Sequence, residues 1–102
     1  MADRLRNPEL GALLREACGD RFVGDDGMER LAGLIAHRTG YPVSAASVRS
    51  YLNGHRTPPL PTGEAIAEEL DLCPSDVERV RSLIKGHQVR LRAQRFENRE
   101  VA

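Results

Sequence analysis

Leu10, Leu13, Leu14 and Ala17 stand at offsets of 0, 3, 4 and 7, and Gly19 comes just after them. One apolar stripe closed by a helix-stopping residue is the pattern of a short amphipathic helix, here over residues 8–18, and it recurs along the chain. Met28, Leu31, Leu34 and Ile35 mark a second helix that should stop near Gly40, before Pro42. Val48, Tyr51 and Leu52 mark a third between Ser44 and Gly54. Ile66, Ala67 and Leu70 mark a fourth over residues 62–72, and Val77, Val80 and Ile84 a fifth begun by Pro74 and Ser75. Strand alternation competes only beyond Gly86, where Val89, Leu91 and Ala93 alternate while Val89, Ala93 and Phe96 keep helical spacing.

Turn chemistry supports the same division. GDRFVGDDG reads as a loop, and Phe22 and Gly24 fall where a calcium loop would need oxygen ligands. Asp26 with Glu29, and Ser75 with Glu78, have the spacing of capping boxes. Ser44 is a natural N-cap and Gly54 a natural stop. HRTPPLPT should be extended, because three prolines deny it helix. The expected fold class is all-α: a bundle of five helices with a basic C-terminal extension. Residues 1–72 would form the core of four helices, and residues 73–102 a C-terminal helix and basic tail suited to dimerisation. At 102 residues and 40% hydrophobic content the chain suits one modest core, and with two Tyr, two Phe and no Trp the aliphatic residues must fill it.

Several function classes are disfavoured. No apolar run is long enough for a bilayer, and MADRLRNPEL lacks the apolar region of a secretory signal, which leads to the expectation of a cytoplasmic protein. Cys18 and Cys73 lack paired metal-ligand spacing and are expected to be buried thiols. No serine sits in a nucleophile elbow, and His37, His55 and His87 lie on separate elements, so neither an enzyme nor a metal or cofactor site is expected.

The net charge is zero, yet its distribution is uneven. Between Glu29 and Glu64 there is no carboxylate, while Arg30, Arg38, Arg49 and Arg56 occur with His37 and His55. A second acid-free window between Glu78 and Glu97 holds Arg79, Arg81, Lys85, Arg90, Arg92 and Arg95. Segregated blocks of this kind predict a positive face suited to phosphate.

The segment VSAASVRSYLNGHR, residues 43–56, joins these themes. With Val48 at the centre of the buried side and 3.6 residues per turn, Tyr51, Leu52 and Ser44 fall near it. Ala46, Arg49, Ser50 and Asn53 fall on the far side, with Ala45 and Ser47 on the flanks. Small residues permit close approach to a surface; Arg can donate two parallel hydrogen bonds to guanine, and Asn can pair with adenine in the same way. The helix N-terminus adds backbone N–H groups suited to phosphate.

This segment resembles the second half of the helix-turn-helix in the λ-repressor-like (XRE/Cro) family, at Val43, Ser44, Val48, Tyr51, Gly54, His55 and Arg56. The following prolines and Ile66–Leu72 resemble that family's fourth helix, and an actinobacterial EspR-like variant with a longer second helix is the nearest likeness. The resemblance implies a sequence-specific double-stranded DNA-binding transcriptional regulator, a repressor, with helix 44–54 in the major groove and a homodimer reading two half-sites. On that basis Arg49 and Asn53 would contact bases, Ala46 and Ser50 would allow close approach, and Ala45 and Ser47 would flank them. Ser44, His55, Arg56 and Arg38 would serve phosphate. The chain departs from the short repressors in its longer second helix, and no Gln stands at that helix start, so the family's contact there is not carried over. Leu52, at a position often polar in relatives, should pack on the fourth helix.

The competing reading is a protein-binding adaptor, such as an antitoxin or a polymerase-associated factor, that works through the basic tail within residues 74–101.

Overall fold

The computed structural model describes the backbone of residues 6–101 and the side chains of residues 6–89. Among them are five helices and no strand: α1 (Pro8–Cys18), α2 (Gly24–Thr39), α3 (Ala45–Leu52), α4 (Leu60–Glu69) and α5 (Pro74–Val101).

Asn7 begins α1, its Oδ1 accepting from the Leu10 N–H at 3.3 Å, and Pro8 follows where the missing N–H costs nothing. Asn7 is only 4% exposed, and its other polar groups are satisfied across the fold. Its Nδ2 donates to the Leu83 carbonyl of α5 at 3.3 Å, and its N–H to the Gly54 carbonyl beyond α3 at 2.8 Å. One buried asparagine thus joins three helices, a role with no local signature.

The capping box expected at Asp26 and Glu29 does not form. The chain turns helical at Gly24, Val23 occupies the cap position without a side-chain bond, and Asp26 already lies in the first turn. Asp25 and Asp26 instead place negative charge at the positive end of the helix dipole. Gly40 ends α2 in the left-handed region, as its position suggested.

Ser44 caps α3, its Oγ accepting from the Ser47 N–H at 3.1 Å. Ser44→Ala should therefore lower stability by about 1 kcal/mol in a urea titration. The helix ends at Leu52, with Asn53 as its cap and Gly54 just beyond.

Two boundaries differ from expectation. Helix α4 starts at Leu60, not at residue 62, because Pro61 sits in the first turn, where proline is tolerated. It ends at Glu69, and Asp71 turns the chain with a positive φ of 57°. Helix α5 starts ahead of Ser75: the Cys73 carbonyl accepts from the Val77 N–H at 3.0 Å, so Ser75 lies inside the helix and is not its cap. Gly86 does not interrupt α5, and the strand alternative beyond it is not realised. Cys18 is buried as expected, whereas Cys73 is exposed, because it lies in the turn before α5 with its Sγ near the Ser75 Oγ.

The core takes fully buried side chains from all five helices: Leu10 and Leu14, Leu31 and Ile35, Val48, Ile66, and Val80 with Ile84. Helix α4 packs on α2 and α5, while α3 packs on α1 and α2. No helix among the described residues is long and apolar enough to cross a membrane.

Candidate nucleic-acid interface

Helix α3 rests on α1 and α2 through Val48, Tyr51 and Leu52, all buried. Its opposite side exposes Ala46, Arg49 and Asn53, while Ala45, Ser47 and Ser50 are half-buried. Ser44 is exposed at the helix start, and His55 and Arg56 are exposed beyond its end. The Ser44 and Ser47 hydroxyls lie 3.0 Å apart at the N-terminal end. The Arg56 guanidinium sits 5.9 Å from the Tyr51 ring centroid, close enough for cation–π attraction. Residues 44–56 therefore bring most of the sequence-predicted side chains to one end and one side of the bundle. Arg38 stands apart, on α2.

Leu52 is buried. It faces α1 and α2, in an open cleft of about 320 Å³ with Cys18, Phe22 and Met28 on its apolar surface and Arg15 and Arg49 at its edge.

The acid-free windows do not stay clear of acids in the folded chain: Arg38, Arg49, Arg79 and Arg81 meet carboxylates, while Arg30 and Arg56 lie over aromatic rings. Most of these carboxylates are distant in the chain, Glu78 beside Arg81 being the near one. Arg38 donates through Nε to Glu69 and through Nη1 to Glu68 at 2.9 Å. The hydrogen bond to Glu69 holds the Arg38 guanidinium above its ordinary pKa, so this residue stays charged but is not a bare cation. Arg49 donates through Nη2 to Asp25. Arg79 pairs with Glu9 at 3.1 Å, and Arg81 with Glu64 and Glu78. Arg90, Arg92 and Arg95 lie outside the described side chains.

Asn53 is engaged as well, its Oδ1 accepting from Arg15 Nη2 at 2.8 Å. Its amide nitrogen keeps two donors, and a carbonyl oxygen has a second lone pair. The arrangement can still make directed hydrogen bonds, and Arg15 meets the Asn53 amide rather than a carboxylate. Asp25 and Arg15 are the neighbours that sequence reasoning missed. Asp25 lies 24 residues from Arg49 and Arg15 lies 38 from Asn53, separations at which no periodicity connects residues.

Comparison with protein-family models, curated proteins and solved structures returns no match.

Proposed function

We propose that this chain is a sequence-specific double-stranded DNA-binding regulator of the helix-turn-helix kind, acting as a repressor and reading the major groove with α3. The observation that carries this reading is the outward face of α3: Ala46, Arg49 and Asn53 are exposed on a helix held from behind by α1 and α2. A ridge with a small residue near its start and an arginine and an amide further along matches the donors and acceptors of base edges. Ser44, with the free N–H groups of the first turn, and His55 and Arg56 beyond the last, are placed to meet phosphates on either side. A homodimer would set two such helices about 34 Å apart, on successive turns of one face of the duplex. The role needs neither cofactor nor metal.

Selection of bound sequences from a random duplex pool tests the reading directly, since a specific binder must enrich a motif. Against the enriched duplex, Arg49→Ala should lose about 1–3 kcal/mol and relax preference at one base pair, whereas Arg56→Ala should weaken all duplexes alike and flatten the salt dependence. An Arg49→Ala protein that binds selected and random duplexes as the parent does would refute the assignment.

One observation favours the adaptor reading: α5 runs on to Val101, and Val89 is 64% exposed on it. In that case residues 74–101 would hold a protein partner. A gel shift with random duplex at low salt separates the two, because an adaptor leaves the duplex unretarded.

A further inference from the structure

Arg49 and Asp25 meet across two helices, with side chains 47% and 87% exposed. An ion pair this open contributes little to stability, so holding the fold together does not account for it. The helix dipole does not account for it either, because Asp26 in the same turn answers that need equally. What the pair does change is the electrostatic character of the one arginine on the outward face of α3.

We infer that Asp25 is a specificity-determining residue: by pairing with Arg49 it cancels the charge of the base-reading side chain while leaving its other N–H donors available. The inference rests on the DNA-binding reading above and deepens it.

A guanidinium carries five N–H donors, and one nitrogen, Nη2, faces Asp25 Oδ1. The remaining donors can still form the short, directed bonds that the O6 and N7 of guanine accept. Those acceptors are neutral, so recognition depends on geometry more than on net charge. Phosphate differs. Its attraction is that of one net charge for another, acts at long range and is the same for every sequence. A neutral pair offers phosphate no net charge, and the Asp25 carboxylate repels it. The contact therefore weakens sequence-independent binding more than readout, which is specificity gained by penalising the wrong partner.

Two further features fit. The Arg49 side chain borders the cleft with Phe22, Met28 and Leu52, and Gly24, next to Asp25, borders the same cleft. Arg38 is cancelled in the same manner by Glu68 and Glu69, so charge neutralisation recurs on α2.

The test compares the parent with Asp25→Asn and Asp26→Asn on two duplexes: the one the parent selects from a random pool, and a scrambled duplex of the same composition. Each is titrated at several salt concentrations, and thermal melting confirms that the variants are folded. Both substitutions remove one negative charge from the first turn of α2, but only Asp25 touches Arg49. Asp25→Asn should raise affinity for the scrambled duplex about three- to ten-fold and steepen its log–log salt slope by about one. Affinity for the selected duplex should change about two-fold or less, so that discrimination falls. Asp26→Asn should move both duplexes together and leave their ratio as in the parent. Asp25→Ser, which also removes the charge, should reproduce the Asp25→Asn result if Asn perturbs the helix start.

Equal ratios for parent, Asp25→Asn and Asp26→Asn would overturn the inference, leaving only long-range charge. Loss of affinity for both duplexes with Asp25→Asn would also overturn it, by making Asp25 a support for α3. A parent that retards no duplex at low salt would refute the DNA-binding reading itself, and the inference with it.

Discussion

Gly11→Ala should destabilise the protein by about 3 kcal/mol, at the upper end of overpacking, and lower its melting temperature by roughly 10–20 °C. A Cβ at this position would lie 2.4 Å from the Gly54 nitrogen and 2.5 Å from the Gly54 Cα, with the Asn53 carbonyl carbon at 3.1 Å. All three are backbone atoms, so no side chain can swing aside. The helices must part, and the bond from the Asn7 N–H to the Gly54 carbonyl must stretch with them. The end of α3 sits against α1 here, so the substitution should also loosen the pose of Arg49 and Asn53 and weaken any binding that depends on them. Gly33 provides the matched control. It is exposed on α2 with nothing within 4 Å of a built Cβ, and Gly33→Ala should stabilise by about 0.5–1 kcal/mol through helix propensity alone. Urea unfolding of the two variants should move in opposite directions. A Gly11→Ala protein as stable as its parent would mean that α1 and α3 do not meet at this point.

The second large effect is expected at Ile84→Ala. Ile84 is fully buried on α5, and α5 packs on α4 and α1. Removing its side-chain carbons loses transfer free energy and leaves a cavity that neighbouring helices can only partly close, for about 2–5 kcal/mol. Val89, one and a half turns further along α5, is largely exposed, and Val89→Ala should change stability by about 0.5 kcal/mol or less. The contrast divides one helix into two roles. Its first turns complete the core with Val80 and Ile84, while Val89 stands outside it. Equilibrium unfolding followed by helical circular dichroism checks both values. An Ile84→Ala protein within 0.5 kcal/mol of the parent, the usual range for surface changes, would place α5 outside the cooperative unit.

Helix existence was legible in the chain where the signal is local. The stripe of Leu10, Leu13, Leu14 and Ala17, the Ser44 cap, and the stops at Gly19, Gly40 and Gly54 depend on interactions within a turn or two, which neighbouring residues specify. The misplaced boundaries came from residues with two permitted local roles. Pro61 can precede a helix or stand in its first turn, and Asp26 and Ser75 can cap a helix or sit just inside it. Gly86 could have ended α5, but a single glycine costs a helix only about 1 kcal/mol, and the chain runs through it.

The candidate surface was legible only in outline. Periodicity around Val48 placed Ala46, Arg49, Ser50 and Asn53 on the outer side of α3, because a helix of known pitch sorts its own residues; Ser50 is half-buried there and the other three are exposed. It could not show that Leu52 would border a cleft with Cys18, Phe22 and Met28, since which residues a flank meets depends on how the helix is seated. Charge pairing was the part that the chain did not show. Acid-free windows in a linear chain predict a positive face only if the acids elsewhere stay elsewhere.

By itself, then, the sequence determined which segments up to Gly86 are helical, roughly where each begins, and which side of each is apolar, because these follow from bonds and packing between near neighbours. Tertiary structure alone decided that Asn7 would join α1 to α5 and to the turn after α3, and that Glu68 and Glu69 would meet Arg38. It also decided that Asp25 would meet Arg49. Those contacts span 24 to 76 residues and are set by how the helices pack their apolar stripes, which brings polar surfaces together that no local pattern relates.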